Sequence, residues 1–239
     1  MPVADQQGQD KSVKHFTDKR AQVYDDLIRQ VVPGYEVLHK MAGLLLRAEL
    51  QDDARLMVVG SGTATEIEHL AGLSPNWRFT GIEPAASMNV VARGRLEAAG
   101  LQDRAHLVDG FVTDLAEETG FDAALMLLVM HFVDDEGGKE NLLNGIAKRL
   151  KPGAPLVLAD LHADVKGPRF NRFLDHWRNW QLAAGMPEEQ VDKGFRTLIK
   201  DVAFVPEERI LELLHGAGFK TVEPFYGAYL FGAWIAWKE

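Results

Sequence analysis

The stretch MVVGSGTATEI, residues 57–67, runs from apolar residues through a glycine turn into a pattern that predicts a helix. Glycine adopts backbone conformations that other residues avoid, and a helix that begins directly after such a turn presents free backbone N–H groups. Apolar strand, tight glycine turn and helix start together predict a place where a nucleotide-like ligand contacts bare backbone. By themselves, these glycines are as compatible with NAD as with other ligands of this kind.

Apolar strands and helical patterns alternate around this stretch. We predict strands at 55–59, 77–83, 105–110, 121–129 and 154–161, and helices at 64–73, about 87–99 and 139–150. The strand at 121–129 is apolar on both faces, as expected of a central parallel strand. Repetition of strand and helix at this spacing predicts a doubly wound parallel sheet with helices on both faces.

The pattern changes after the fifth strand. A helical insertion rich in aromatic residues and arginine is predicted at about 168–200, and a further helix at 206–215. Two last strands, at 220–225 and 228–238, are joined by only a few residues, with Tyr226 and Gly227 among them. Because so short a link cannot make a parallel crossover, this pair must be antiparallel. We therefore predict an α/β fold whose mostly parallel, seven-stranded sheet ends in an antiparallel pair.

The region before the first strand divides into a tail and a helical segment. Residues 1–12 are polar and lack any period, which predicts a disordered tail. Residues 13–50 have helical spacing, broken at Pro33 and Gly34, and are expected to cover one mouth of the sheet. Since no internal repeat or low-complexity linker is found, we predict a single domain over residues 1–239, with its sheet part at 51–239.

Composition limits the partners and the location that we expect. The chain has 26 Lys and Arg against 35 Asp and Glu, a formal charge of −9 without clustered cations, so we expect no nucleic-acid partner. Cysteine is absent, which excludes disulfides and thiolate sites and suits a reducing cytoplasm. Neither a signal peptide nor a membrane-spanning stretch is recognisable. We expect a cytoplasmic protein with a small-molecule substrate and no membrane partner, and a homodimer stays open.

The spacing of the glycines separates two ligand classes. A Gly-x-Gly-x-x-Gly dinucleotide fingerprint would need a small residue where Thr65 stands. Gly-x-Gly-x-Gly/Ala fits instead, with Gly60, Gly62 and Ala64. On this motif the chain resembles the class I S-adenosylmethionine-dependent methyltransferases. The resemblance implies S-adenosylmethionine as cofactor and methyl transfer as activity. An NAD-dependent oxidoreductase and a cofactor-binding regulatory protein without catalysis remain the alternatives.

The resemblance also implies which residues contact the cofactor. Glu83 ends the second strand about 20 residues after the turn, where an acidic side chain accepts both ribose hydroxyls. The other implied residues lie on the loops after the first four strands: Gly60, Ser61, Gly62 and Thr63; Pro84 and Met88 beside the adenine; Asp109, at the adenine amino group, with Gly110 and Phe111; and Leu127 and Val129 beside the methionine portion. One departure is Val58, because the family usually has an acidic residue two positions before the first glycine.

A narrower branch is similar over more of the chain. YDDLIRQVVPGYE at 24–36, the helical insertion and FGAWIAWK at 231–238 resemble a branch that includes the carboxy-S-adenosylmethionine synthases of tRNA wobble-uridine modification. In that branch the N-terminal helices form a lid, which implies that Tyr24 and Tyr35 approach the reaction centre. Arg196 stands where the synthases hold a cofactor carboxylate with arginine. Leu127 replaces a polar residue of the synthases, so we favour ordinary methyl transfer and keep synthase-like activity as the alternative.

Methyl transfer from a sulfonium requires little of the protein besides alignment of the reactants and exclusion of water. A base is needed only for a hydroxyl or amine acceptor, and His131, which follows the fourth strand, is then the candidate. The alternative is a structural histidine at the strand end. Asp160, His162 and Asp164 could chelate a metal, but we expect solvated carboxylates and no metal site. In the insertion, Phe170, Phe173, Trp177 and Trp180 recur at helical spacing, which predicts core residues with one or two at an acceptor pocket.

Overall fold

A seven-stranded sheet organises the protein. The computed structural model describes residues 18–115 and 120–239; the predicted tail at 1–12 and the first lid residues at 13–17 lie outside this part. The strands are β1 (Arg55–Val59), β2 (Arg78–Glu83), β3 (Ala105–Asp109), β4 (Ala123–Leu127), β5 (Pro155–Leu161), β6 (Phe219–Ala228) and β7 (Phe231–Lys238). Their order is β3-β2-β1-β4-β5-β7-β6, and β7 pairs antiparallel with both β5 and β6. The predicted fold class is confirmed.

Helices cover both faces of this sheet and one of its ends. They are α1 (Asp18–Val31), α2 (Tyr35–Glu49), α3 (Thr65–Ala71), α4 (Ala86–Ala98), α5 (Gly138–Arg149), α6 (Pro168–Ala183), α7 (Glu188–Asp201) and α8 (Glu207–Gly216). The predicted break at Pro33 and Gly34 separates α1 from α2. The predicted insertion is two helices, because Gly185 has a φ of +87° and Pro187 precedes the first residue of α7. In the described parts of the chain, no helix combines the length and apolarity needed to cross a membrane.

Alternation along the strands builds the core on both faces. Leu56 and Val58 of β1 belong to one buried cluster, which α2, α3 and α4 cover. Met57 and Val59, the residues between and after them, belong to the opposite cluster under α5 and α8. All five residues of β4 are buried, as a strand covered on both faces requires.

The link between the last two strands is not where the sequence predicted it. Tyr226 and Gly227 belong to β6 and pair with Ala233 and Gly232 of β7, and the turn is formed by Tyr229 and Leu230. The prediction ended this strand at residue 225, whereas β6 continues to Ala228. Pro224 is tolerated because β6 is the edge strand and its register shifts between Pro224 and Tyr226.

A third cluster of buried side chains attaches α1 to the insertion. The indole of Trp177 on α6 donates a hydrogen bond from Nε1 to the carbonyl oxygen of Val31 at 2.7 Å. Trp180, one turn further along α6, donates in the same way to Gln30 at 3.0 Å. The last carbonyls of a helix have no partner within it, so these indoles satisfy the C-terminal end of α1. Phe170 and Trp177 are buried, whereas Phe173 and Trp180 are only partly covered.

Replacement of Trp177 by phenylalanine tests this attachment. Trp177→Phe leaves a partly buried carbonyl without its donor and a smaller ring in the cluster, so we expect the free energy of unfolding to fall by about 1–3 kcal/mol. Trp180→Phe is the control, because its hydrogen bond is exposed and water can replace it; we expect a loss below about 1 kcal/mol. Urea unfolding measures both, and equal losses would contradict the assignment.

Candidate active site

The turn after β1 contains two glycines whose backbone conformation other residues adopt only with strain. Gly60 and Gly62 have φ values of +66° and +51°, in the left-handed region that other residues disfavour. A Cβ added to Gly60 would lie 2.3 Å from Cγ2 of Val129, at the end of β4, so the two segments touch at this point. A Cβ on Gly62 would meet nothing closer than the Met88 methyl at 3.6 Å. This turn is called the glycine loop below.

Two small cavities adjoin the glycine loop at the carboxyl ends of the parallel strands. The glycine-loop cavity is lined by the loop, the ends of β2 and β4, and residues of α1 and α2. The β3 cavity is lined by the residues that follow β3 and by α5. Each has a volume of about 70 Å³, and they share the wall residues Gly60, Pro84, Val129 and Phe132. Together they form one interrupted cleft where open α/β sheets bind their ligands.

Glu83 lies in the glycine-loop cavity and is buried. Its Oε2 accepts a hydrogen bond from the Gly62 N–H at 3.1 Å, and its Oε1 accepts one from the Ala85 N–H at 2.8 Å. Burial raises the pKa of this carboxyl above its ordinary value, and the two amide donors oppose that effect. Each carboxylate oxygen has a second lone pair, so Glu83 can still accept hydrogen bonds from a ligand's hydroxyl groups.

The structure gathers most of the predicted cofactor residues around this cleft. Those that line the glycine-loop cavity are Tyr24, Tyr35, Gly60, Gly62, Thr63, Glu83, Pro84, Met88, Leu127 and Val129, and those that line the β3 cavity include Gly110 and Phe111. Two tyrosines from the predicted lid thus meet the ends of three strands. Burial raises the pKa of Tyr35 well above its ordinary range, so its hydroxyl stays protonated.

Three predicted residues lie elsewhere. Ser61 is fully buried, and its backbone N–H donates to the Ile82 carbonyl at 3.1 Å rather than facing the cleft. Asp109 accepts two hydrogen bonds from Arg93, both 2.8 Å, and its side chain is 58% exposed and lines neither cavity. The register that ends β3 at Asp109 directs its carboxylate toward α4. Arg196 is exposed on α7 and also lines none of the cavities described in this section.

A larger cavity lies between α1 and the two insertion helices, and we call it the lid cavity. Its volume is about 600 Å³, and it shares Tyr24, Leu128 and Phe132 with the glycine-loop cavity. The residues of α7 that line it include positions 190, 193, 194, 197, 198 and 201, which recur at helical spacing and omit Arg196. Most of the lining is apolar, with Trp177 and Phe195 among the aromatic side chains.

His131 lines the lid cavity and is oriented by Asp160. The imidazole Nδ1 lies 2.5 Å from Oδ1 of Asp160, which also accepts the backbone N–H of His131 at 3.1 Å. Asp160 is fully buried in β5 and His131 is 5% exposed. A carboxylate at Nδ1 selects the tautomer with its proton on that nitrogen and leaves the Nε2 lone pair available. The side chain of His131 thus has the form of a general base.

Lys139 holds the short turn Met130–Phe132 that carries His131. Its ammonium is fully buried and donates to the carbonyl oxygens of Met130 at 2.9 Å and Val133 at 2.5 Å. Burial lowers the pKa of Lys139, and the negative charge of Asp160 is the first effect that opposes this. A buried cation therefore accompanies the buried carboxylate that orients the histidine.

The three residues that the sequence offers as possible metal ligands each have a different partner. Asp160 binds His131, His162 packs edge-on against Trp234 with ring centroids 5.3 Å apart, and Asp164 accepts the N–H of Lys166 at 3.0 Å. Within residues 18–115 and 120–239, no group of three or more His, Asp or Glu side chains is arranged to hold a metal ion. Asp160 is also not solvated, contrary to the expectation, because it lies inside a buried strand.

Asp25 fastens α1 to the glycine loop. Its Oδ1 accepts hydrogen bonds from the hydroxyls of Thr63 at 2.6 Å and Thr65 at 3.3 Å, and its Oδ2 pairs with Arg95 of α4. Arg95 also binds Glu68 of α3 at 3.0 Å. Cavities of about 70 Å³ are small beside the roughly 300 Å³ or more of usual ligand pockets, and α1 forms one wall of the glycine-loop cavity.

Comparison with known proteins identifies the class. Residues 57–156 match a family model described as Methyltransferase domain. A carboxy-S-adenosyl-L-methionine synthase of Klebsiella pneumoniae (strain 342) is 24% identical over 229 residues, which cover 94% of this chain and 91% of the synthase. The residues that match the family model, 57–156, begin in β1 and end in β5. They include the glycine loop and His131.

Solved methyltransferases have the same fold. A putative S-adenosyl-L-methionine-dependent methyltransferase from Methanococcus maripaludis superposes with a TM-score of 0.63 at 18% identity, covering 93% of each chain. A Burkholderia thailandensis 1,6-didemethyltoxoflavin-N1-methyltransferase, solved with its acceptor and S-adenosylhomocysteine, gives 0.65 at 16% identity, covering 100% of this chain and 92% of that one. The fold is that of the class I S-adenosylmethionine-dependent methyltransferases, and the match to a methyltransferase domain over residues 57–156 supports that class over the alternative of an NAD-dependent oxidoreductase.

Several residues of the site were not singled out from the sequence. Asp160 was considered only as a metal ligand, although a single carboxylate inside the apolar strand 154–161 signals a buried partner. Glu66 lies directly after the glycine loop, but acidic residues are common in the first turn of a helix, so its position gives no specific signal. Asp25 and Lys139 carry no local signal, because their partners are distant in sequence or are backbone carbonyls.

Removal of the Asp25 carboxylate tests how α1 is held. In Asp25→Ala, we expect backbone amides of α1 to exchange hydrogen roughly tenfold faster, since a hydrogen bond to a charged group contributes about 1.5 kcal/mol or more. Asp26→Ala is the matched control, because that side chain is 96% exposed. Hydrogen exchange followed by mass spectrometry measures both, and unchanged protection of α1 in Asp25→Ala would show that the pairing does not hold the helix.

Proposed function

We propose that this methyltransferase transfers the methyl group of S-adenosylmethionine to a hydroxyl group of a small, largely apolar molecule bound in the lid cavity. One observation carries the proposal: the lid cavity and the glycine-loop cavity share the wall residues Tyr24, Leu128 and Phe132, and His131, the residue before Phe132, lines the lid cavity. A cofactor in one cavity and an acceptor in the other would meet there. Proximity of this kind lowers barriers by about 7–11 kcal/mol in favourable cases.

The residues of the cleft fit the cofactor. Gly62 leaves space toward the cavity, so that backbone can approach a ligand closely. Glu83 has spare lone pairs for ribose hydroxyls, as proposed from the sequence. The β3 cavity has apolar walls at Ile82, Phe111 and Val129, suited to an adenine ring. When bound, S-adenosylmethionine supplies an activated methyl group on a sulfonium.

His131 is the proposed general base. With its Nδ1 proton directed at Asp160, the Nε2 lone pair can take the proton of an acceptor hydroxyl as the oxygen attacks the methyl carbon. Asp160 holds the ring orientation and stabilises the imidazolium that forms. Lys139 supports the turn beneath His131 through two carbonyl contacts. Leu128, Phe132 and the lid tyrosines exclude water from the line between the two cavities.

The shape and polarity of the lid cavity favour a ring-containing acceptor. About 600 Å³ lies within the usual range for drug-sized ligands, and aromatic walls from Trp177 and Phe195 suit flat molecules. Gln181 lines the cavity and is 5% exposed, and its amide has no hydrogen-bond partner among the described residues. From this position the amide can form a hydrogen bond with a carbonyl or hydroxyl of the acceptor. The Burkholderia neighbour binds 1,6-didemethyltoxoflavin.

Synthesis of a carboxylated cofactor is the second candidate, and the 24% identity to a carboxy-S-adenosyl-L-methionine synthase over most of both chains favours it. It needs a cation for the extra carboxylate. Arg196, the residue that the resemblance implied, is exposed and outside the lid cavity, and Leu127 is apolar. Lys193 does line the lid cavity, but a lysine cannot pair with a carboxylate through the two hydrogen bonds of an arginine. Ordinary methyl transfer therefore remains our first proposal. A cytoplasmic location, a possible homodimer and the absence of a nucleic-acid partner remain proposals from composition alone.

Methyl transfer to hydroxylated aromatic compounds tests the main proposal. We expect at least one compound from a panel of two- and three-ring phenols to accept radiolabelled methyl from S-adenosylmethionine. His131→Asn should then lower kcat by about 10²–10⁴-fold without weakening the cofactor, because only proton transfer is lost. His106→Asn, an exposed change on β3, is the control. If S-adenosylmethionine does not bind the wild type, the function is wrong; an undiminished kcat in His131→Asn would remove the base.

Competition between the two cofactors tests the second candidate. An arginine that recognised the added carboxylate would do so through two charge-assisted hydrogen bonds, which lysine cannot reproduce. Because Arg196 is outside the lid cavity, we expect wild type to bind carboxy-S-adenosylmethionine no more tightly than S-adenosylmethionine. We expect Arg196→Lys to bind both cofactors with the affinities of wild type. Calorimetric competition measures both proteins. A tenfold or greater wild-type preference that Arg196→Lys abolishes would establish the synthase-like alternative.

A further inference from the structure

Two carboxylates face the glycine-loop cavity, and only one of them has been given a role. Among the described residues that line this cavity, Glu66 and Glu83 are the charged ones. Glu83 is held by the amides of Gly62 and Ala85, and it lies at the end of β2. Glu66 lies in the first turn of α3, directly after the glycine loop. The function proposed above does not use it.

Glu66 presents one oxygen atom that has no protein partner. Its Oε1 lies 2.9 Å from Nε2 of His39, and its side chain is only 14% exposed. No hydrogen bond to Oε2 is found among the described residues, and the side chain lines the cavity together with Tyr24 and Tyr35. From this position the oxygen can accept a hydrogen bond from a ligand in the cavity.

His39 holds the side chain of Glu66 in position. The Nδ1 of His39 lies 2.9 Å from the Tyr35 carbonyl oxygen, so both ring nitrogens face oxygen acceptors. Only an imidazolium donates to both at once. Burial by itself lowers the pKa of His39, but the hydrogen bond and charge of Glu66 and the Tyr35 carbonyl outweigh burial and raise it. The Tyr35 ring packs on the imidazole, with centroids 4.1 Å apart, which holds the pair in place.

We propose that Glu66 binds the ammonium group of the cofactor's methionine portion, with His39 as its positioning residue. This inference rests on the proposed function, since it assigns one end of the same cofactor. The cavity contains two carboxylates and, within the described residues, no cation in its lining, so it suits a ligand group of positive charge. Leu127 and Val129, at the end of β4, line the same cavity. Val58 stands where the family usually has an acidic residue, but it is apolar and buried in the core of the sheet, so it cannot bind this group.

Glu66→Gln is the direct test, because the amide keeps the shape of the side chain and can still contact His39. S-adenosylhomocysteine and 5′-methylthioadenosine are the two probes, since only the first carries the ammonium group. We expect Glu66→Gln to bind S-adenosylhomocysteine about 10- to 100-fold more weakly, the effect of one charged hydrogen bond, and 5′-methylthioadenosine within twofold of wild type. Glu97→Gln, an exposed acid-to-amide change on α4, should bind both probes as wild type does.

The ligand itself provides a second measurement that needs no variant. An analogue of S-adenosylhomocysteine without the α-amino group should bind wild type about 10- to 100-fold more weakly than the parent compound. In Glu66→Gln the parent and the analogue should bind alike. Equal binding of parent and analogue to wild type would overturn the proposal, whatever the folding of the variant. Equal weakening of both nucleoside probes in Glu66→Gln would also overturn it, because Glu66 would then act only on the fold.

These outcomes are distinct from a failure of the proposed function. If wild type binds neither S-adenosylmethionine nor S-adenosylhomocysteine, the cofactor assignment itself is wrong. If wild type binds S-adenosylhomocysteine and Glu66→Gln binds it equally well, the cofactor assignment stands and the role of Glu66 is wrong. Isothermal titration calorimetry gives all of these affinities on one scale.

Discussion

The contact between the glycine loop and the end of β4 is the constraint on which the site depends. Val129 lies so close to Gly60 that a Cβ there would come within 2.3 Å of its side chain. The neighbouring Leu128 has a φ of +61°, an unfavourable value for a residue with a side chain, and its N–H donates to Ala159 of β5 at 2.7 Å. This strained bend places Val129 between the two small cavities and leads directly into the turn that carries His131. One close contact thus positions cofactor cleft and candidate base together.

The helix α1 completes both halves of the site and is held at two points. Asp25 ties it to the threonines of the glycine loop, and two indoles of α6 satisfy its last carbonyls. Tyr226 of β6 donates to the Pro33 carbonyl just beyond it. Since α1 lines both the glycine-loop cavity and the lid cavity, movement of this helix would open both at once. Binding of the cofactor and binding of the acceptor would therefore both depend on the position of α1.

Local periodicity explains why so much of the fold could be predicted and so little of the site. The alternation of strands and helices, the antiparallel pair and the break at Pro33 follow from patterns within short windows, and the glycine loop has its own spacing. The pair of Asp25 with Thr63 and the bond of Trp177 to Val31 join residues 38 and 146 positions apart, which no local pattern encodes. Asp109 and Arg196 were assigned from their positions in a motif, which do not determine where a side chain points; Asp109 binds Arg93, and neither residue lines a cavity.

One rule holds throughout the site: each buried or partly buried carboxylate has a hydrogen-bond partner. Asp160 contacts His131 and lies near the buried ammonium of Lys139. Glu83 accepts hydrogen bonds from two backbone amides, and Glu66 contacts His39. Leaving such groups unpaired would cost several kcal/mol or neutralise them. The pairing has a functional consequence, because an ionised carboxylate in a shielded cavity attracts a cation more strongly than one in water. Both positive groups of S-adenosylmethionine, the sulfonium and the ammonium, would thus enter an environment whose carboxylates are held in position before binding.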